Sequence, residues 1–139
     1  MNDDLVEFLR ARLDEDEAAA KAAAEFPGRH WDFSNGGEGR ERDGILWDDD
    51  HANVIGWLDD HLACAAHAAR HDPRRTLREV EAKRRIMGRH HANEDGMCEG
   101  CPTSEITMEP QIEIGECPEL RDLAAVYTEH PDYQPGWKP

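Results

Sequence analysis

The side chains best suited to chemistry lie in the C-terminal third of the chain. Cys98-Glu99-Gly100-Cys101 sets two thiols three residues apart with a glycine between them, a spacing that wraps a tetrahedral metal in a tight turn. A third cysteine, Cys117, precedes Pro118 at the predicted start of a helix. Knuckle, hairpin and then a cysteine at a helix N-terminus is the order of a treble-clef zinc site. Such sites often take a further ligand one turn into the helix, where this chain has Leu120. The fourth donor must come from elsewhere, and His91 or its neighbour His90 is the natural source. Cys98, Cys101, Cys117 and His91 (or His90) would make a Cys3His set of the kind that holds structural Zn2+. Redox pairs and disulfides share the CxxC spacing. Nothing around it resembles a thioredoxin-like strand–helix–strand unit, and no export signal points to an oxidising compartment.

Two further constellations carry weaker signals. Asp60, Cys64, His67 and His71 follow one another at steps of four, three and four. On a helix over 51–71 they share one face, opposite Val54, Ile55, Leu58, Leu62, Ala65 and Ala69. Two imidazoles and a carboxylate would suit a catalytic metal with an open position; the plainer reading is a solvated polar face. Arg74, Arg75, Arg78, Arg85 and Arg89 form a basic stripe on the next helix, outside the apolar positions Leu77, Val80 and Met87. Arg74 and Arg75 fall in its first turn, where the helix dipole disfavours cations. Neighbouring acids or an anionic ligand must compensate. The run Asp48-Asp49-Asp50-His51 reads as an acidic helix N-terminus rather than a nuclease centre. No nucleophile elbow, HExxH or zinc-deaminase pattern occurs.

The elements that must position these groups follow from periodicity. A helix is expected over 4–25, with Leu5, Val6, Leu9, Leu13, Ala20 and Ala24 on its stripe, Asp3 and Asp4 at its positive end, and Pro27-Gly28 as its stop. His30–Phe33 and Ile45–Trp47 read as a hairpin around a glycine-rich loop that lacks any phosphate-binding ending. Helices follow over 51–71 and 73–91, joined at Asp72-Pro73 as N-cap and first helical residue. Ile106–Met108 and Gln111–Ile114 alternate like a second hairpin, and Cys117-Pro118 opens a last helix bearing Leu120, Leu123, Ala124 and Tyr127. The tail over 130–139 should fold back and bury Tyr133 or Trp137. The expected class is α+β, mostly helical: four helices, two short β-hairpins and a treble-clef-like zinc knuckle. One domain is expected over 1–139, with a helical body over about 1–91 and the zinc knuckle, hairpin and last helix over about 90–139.

Composition narrows the function classes. The 139 residues hold 16 Lys plus Arg against 31 Asp plus Glu, a formal charge of −15. Leu, Ile, Val and Phe are scarce, so a large core is excluded and a metal staple becomes useful. No apolar run is long enough to span a membrane, and the acidic start lacks a signal peptide's basic n-region, so a cytoplasmic location is expected. The acidity argues against generic nucleic-acid binding, although residues 70–91 carry a local basic excess.

His67-Ala-Ala-Arg-His71-Asp-Pro73 and Leu77-Arg-Glu-Val-Glu-Ala-Lys-Arg-Arg-Ile86 resemble a family of small proteins from actinobacteria and their phages, known only as a domain of unknown function. The start over Met1–Glu17 and the ending from Cys98 through Cys117-Pro118 to His130-Pro131-Asp132-Tyr133 and Trp137 resemble it too. The resemblance implies a single domain with a cysteine cluster, and no activity. The resulting expectation is a small, acidic, zinc-stabilised accessory protein, phage-encoded in one version, that binds and modulates a host protein. It would be a monomer or small homo-oligomer. The rivals are a metal-dependent hydrolase or nuclease on the Asp60/His67/His71 face, and a nucleic-acid-binding protein using the basic helix.

Overall fold

Leu5, Leu9 and Leu13 recur at four-residue steps and are all buried, and the first helix, α1 (Asp4–Glu25), forms around that stripe. The coordinates are a computed structural model describing residues 4–139, so the expectation for Asp3 lies outside the described residues. Asp4 and Glu7 occupy the first turn, where the dipole favours acids. The alanine-rich half packs thinly: Ala20 is buried, while Ala18, Ala19 and Ala22 are exposed. No described helix is long and apolar enough to cross a membrane. The chain divides into two compact units, one made of residues up to Glu15 with Glu81–Pro139, the other of Asp16–Val80.

The Asp16–Val80 unit contains an antiparallel sheet in the order β1 (Asp32–Asn35), β2 (Gly44–Trp47), β3 (Val54–Leu58). The hairpin expected around the glycine-rich loop is β1–β2, with Asp32 opposite Trp47 and Asn35 opposite Gly44. The strand β3 corrects the sequence reading, which placed 54–58 inside a helix. Val54, Ile55 and Leu58 satisfy a helical stripe and a strand equally well, because a short apolar run does not separate the two periods. Gly56 weakens a helix, and β-branched and aromatic neighbours favour the strand that pairs Ile45 with Trp57. The helix therefore starts only at Leu62: α2 (Leu62–Arg70) packs on β1 and β2. A side chain at Gly44 would come within 2.6 Å of the Ala65 Cβ and 2.8 Å of the His61 carbonyl oxygen, so this contact requires glycine.

Two consequences follow. Asp48–His51 is not a helix N-terminus but part of the β2–β3 connection, where Asp48 accepts from the Asn53 side chain at 2.7 Å and from the Ala52 and Asn53 amides. The Asn53 side chain first, then these amides, hold the Asp48 carboxyl below its usual range. Asp60 sits in the turn before α2 with φ of 61°, off the helical face assigned to it.

The third helix, α3 (Pro73–Arg89), begins as its sequence predicts. Buried Asp72 accepts from the Arg75 amide at 2.8 Å, the Trp31 amide at 3.2 Å and the His30 ring at 2.8 Å. Burial opposes the Asp72 charge, but the Arg75 amide, His30 and Trp31 outweigh it and lower the pKa. Its contribution to stability is therefore complete above about pH 4 and disappears as pH falls through the lowered folded value. Asp72→Ala should cost about 2 kcal/mol in urea unfolding at pH 7. The difference from wild type should shrink on acidification below pH 4; a difference independent of pH would contradict this account.

In the other unit, Leu5, Phe8 and Leu9 pack with Ile114, Leu120, Ala124 and Trp137 around the three buried cysteines Cys98, Cys101 and Cys117. Leu120 lies on α4 (Pro118–Ala125), which a 3-10 turn over Ile114–Glu116 precedes. The tail folds back as expected: a second 3-10 turn, Pro135–Trp137, brings the Trp137 ring centroid to 4.9 Å from Phe8, with Tyr133 and Tyr127 edge-on to the same ring. Buried Arg12 covers Phe8, pairs with Glu15 at 2.8 Å and donates to His130, tying the tail to α1. The second hairpin is a correction. Ile106 and Met108 are 93% and 72% exposed, and 103–113 carries only the isolated bridges Thr103–Pro110 and Met97–Glu113. Ile114 and Ile112 do pack into the cluster, but nothing covers Ile106 and Met108, so only the second of the two segments has a face to bury and no strand ladder forms between them. The class remains α+β with four helices and one three-stranded sheet of two hairpins. Trp137→Ala should cost about 3–5 kcal/mol by chemical unfolding. Removal of residues 130–139 should lower Tm clearly, and an unchanged Tm would refute the docking of the tail.

Candidate metal centre

The cysteine turn is built by backbone pairing on both sides. Ala92 bridges Cys98 and Met97 bridges Glu113, while the Cys98 amide donates to the Ile112 carbonyl at 2.7 Å and the Ile114 amide to that of Gly96 at 2.9 Å. Asn93 Oδ1 accepts from the Asp95 and Met97 amides, and Gly96 takes φ of 79°, closing the turn that leads into Cys98. The Glu99 amide donates to the His91 carbonyl at 2.9 Å, which presses the turn onto the end of α3. Gly100 is required there. A Cβ at this position would meet the Arg89 carbonyl oxygen at 2.4 Å and His90 Nδ1 at 2.8 Å.

The result is a convergence of four donor atoms. His90 Nδ1 lies 3.5 Å from Cys98 Sγ, 3.8 Å from Cys101 Sγ and 3.4 Å from Cys117 Sγ, and the last two sulfurs are 3.5 Å apart. All four atoms lie within 4.8 Å of one another, and no disulfide joins the cysteines. With metal bonds of about 2.3 Å to sulfur and about 2.0–2.1 Å to nitrogen, the edges of a tetrahedron come to about 3.5–3.8 Å. The three distances from His90 Nδ1 and the Cys101–Cys117 edge fall at or close to those lengths, and the group can hold a metal ion. Three cysteines packed merely as small apolar side chains would have no reason to share an imidazole nitrogen. Among the described residues no other group of three or more His, Cys, Asp or Glu donors converges in this way.

Buried thiols with no cation between them resist ionisation. Burial, then the neighbouring thiols, push the Cys101 thiol far up, and burial pushes Cys117 up against the opposing effect of the Leu120 amide at the start of α4. A bound cation inverts that logic by stabilising the thiolates directly. Glu119 was not singled out from the sequence. Its Oε2 stands 3.6 Å from Cys101 Sγ, 3.5 Å from Cys117 Sγ and 3.7 Å from His90 Nδ1. Its own backbone amide first, then Cys117 and His90, hold its carboxyl below the usual range. The only sequence signal was its place two residues after Cys117, which is also an ordinary site for an acid in a first helical turn.

Of the two histidines left open by the sequence, His90 is the one beside the sulfurs. His91 is exposed, its Nδ1 is 3.0 Å from the Gly88 carbonyl, and it lines a cavity of about 560 Å³ with Val6, Leu13 and Met87. The second constellation is not assembled. Asp60 pairs with Arg42 at 2.6 Å and Cys64 is exposed, while His67 and His71 stack with centroids 4.3 Å apart. Of the basic stripe, Arg75 and Arg85 pair with Glu79 and Glu81, each 2.7 Å away. Arg74 approaches His30, and Arg78 lines a second cavity. No ion pair joins Arg89 to a described acid.

With this geometry in hand, the chain can be placed: it belongs to a family of unknown function, DUF6221, whose model matches residues 2–139. No curated protein and no solved structure matches it. His90→Ala should destabilise the protein by about 2 kcal/mol or more, as expected for breaking a buried polar cluster, and His91→Ala by less than about 0.5 kcal/mol. Gly100→Ala should act like His90→Ala. Equal effects of the two histidine variants in thermal unfolding would contradict the placement.

Proposed function

We propose that this chain is a small, non-enzymatic accessory protein whose fold is stapled by one structural Zn2+ on His90, Cys98, Cys101 and Cys117, and that it acts by binding a protein partner. The observation that carries the zinc reading is the convergence of three sulfurs and one imidazole nitrogen within 4.8 Å of one another, with the His90 Nδ1 distances and the Cys101–Cys117 separation close to the edges of a tetrahedron of thiolate and imidazole donors. The donor set supports zinc over magnesium or calcium, which prefer oxygen. Four protein donors leave no open position for substrate, and the sulfurs belong to the buried core, so the metal would supply folding energy rather than chemistry. A tight turn bearing two cysteines, then a loop, then a cysteine at the head of α4 supports a treble-clef-like arrangement with its hairpin reduced to isolated bridges.

A partner protein is favoured by the segment between Cys101 and Ile112. It exposes Ile106 and Met108 at the end of a loop whose base is held by the cysteine turn and the Thr103–Pro110 bridge. The staple would keep that loop presented in one orientation.

Native mass spectrometry of untagged protein should show one zinc per chain, lost in Cys117→Ser together with a large drop in Tm. Far less than one zinc, or a Cys117→Ser variant with unchanged metal content and Tm, would overturn the staple. Ile106→Asp/Met108→Asp should keep zinc and Tm but lose the partner that wild type retains from its native host. Retention by both would overturn the loop as the contact.

A further inference from the structure

Within the Asp16–Val80 unit, a cavity of about 380 Å³ brings Arg70, Arg74 and Arg78 together with His30, Trp31 and Phe33. No spacing or periodicity along the chain joins these groups. The arginines come from the end of α2 and the start of α3, His30 and Trp31 from the segment entering β1, and Phe33 from β1 itself.

Charge is unbalanced at this place although the chain is acidic. Of the acids that line the cavity, Asp72 is engaged by two amides and the His30 ring. Asp32 is 2.8 Å from the ring of His51 and accepts from the Phe33 amide. Neither has an ion pair with an arginine of the cavity. Arg75, at the rim, pairs with Glu79 and donates to the Arg70 carbonyl. Arg70, Arg74 and Arg78 have no acidic partner among the described residues. Arg74 makes the point most sharply. Its Nη2 lies 2.9 Å from His30 Nδ1, and the same nitrogen lies 2.8 Å from Asp72 Oδ2. A nitrogen that donates to a carboxylate has no lone pair for a guanidinium, so two donors face each other and an anion would relieve them.

The walls add a second feature. Phe33 is 40% exposed, and Trp31 is held in place by its Nε1 donating to the Gly28 carbonyl at 3.0 Å. Guanidinium groups select phosphate, and a fixed aromatic face beside them selects a flat ring. We propose that this cavity binds a nucleoside phosphate, its phosphate on Arg70, Arg74 and Arg78 and its base against Phe33 or Trp31. The same unit could come from a free nucleotide or from a nucleotide of a single strand. The site goes beyond the zinc staple and shares no residue with it, so either reading can fail alone.

The test is a calorimetric titration of the full chain as purified, at low salt, with AMP, inorganic phosphate, adenosine and the octamer (dA)8. AMP should bind about tenfold or more tightly than phosphate or adenosine alone, as expected when stacking adds to charge pairing. Arg78→Glu and Arg70→Glu, both at exposed positions, should each weaken AMP by about tenfold or more with Tm and zinc content unchanged. Phe33→Ala should reduce the preference for AMP over phosphate. Octamer binding that exceeds AMP and falls steeply with salt assigns the single strand; similar affinity for both assigns the free nucleotide. No AMP binding, AMP no tighter than phosphate, or binding indifferent to Arg78→Glu and Arg70→Glu would overturn the proposal.

Discussion

Three sulfurs and one imidazole nitrogen converge inside an apolar cluster that has few large side chains of its own. That convergence is the constraint on which the surrounding unit depends. Cys98, Cys101 and Cys117 occupy central places in the cluster, and Leu5, Phe8, Leu9, Ile114, Leu120 and Trp137 pack around them. As free thiols they would contribute the burial of small residues only, and burial disfavours their ionisation. Bound to a cation, the same atoms become a covalent-strength junction between the end of α3, the cysteine turn and the head of α4. A chain with so little apolar mass has few other means of fixing three segments that lack a continuous sheet.

The rest of this unit follows. The cysteine turn can approach α3 only because position 100 has no side chain, and that approach points His90 inward while His91 faces out. Leu120 stands where a second helix-borne ligand would be expected, and it is fully buried, which leaves the fourth position to His90. On the far side of the cluster the aromatic tail closes over Phe8, held by Arg12 against His130 and Glu15. In the Asp16–Val80 unit the ordering device is different. Asp72 caps α3 and also engages His30 and Trp31, so one carboxylate joins the start of the helix to the segment entering the sheet.

Features with a local cause were legible in the sequence. The cap at Asp72-Pro73, the stripe of Leu5, Leu9 and Leu13, the first hairpin and the folded-back tail each rest on a few neighbouring residues, or on aromatics that need cover. The three cysteines could be grouped because their spacing encodes a turn and a helix start. His90 could not be separated from His91, since adjacent residues at a helix end differ only in which one the incoming turn meets. The residues 54–58 were misread because their apolar pattern fits both periods, and pairing with β2 decides between them. That error moved Asp60 off its supposed face and dissolved the second metal constellation. Ile106 to Ile114 alternates as a strand would, but only Ile112 and Ile114 find apolar cover, and alternation is informative only where one face is covered along both strands. The grouping of Arg70, Arg74 and Arg78 with Trp31 and Phe33 joins segments some forty residues apart and left no local trace.

X-ray absorption at the zinc edge of the purified, untagged full chain addresses the central claim most directly. The account predicts a four-coordinate shell of three sulfurs at about 2.3 Å and one nitrogen at about 2.0–2.1 Å. A shell of five or six oxygen and nitrogen donors, or one with fewer than three sulfurs, would contradict it.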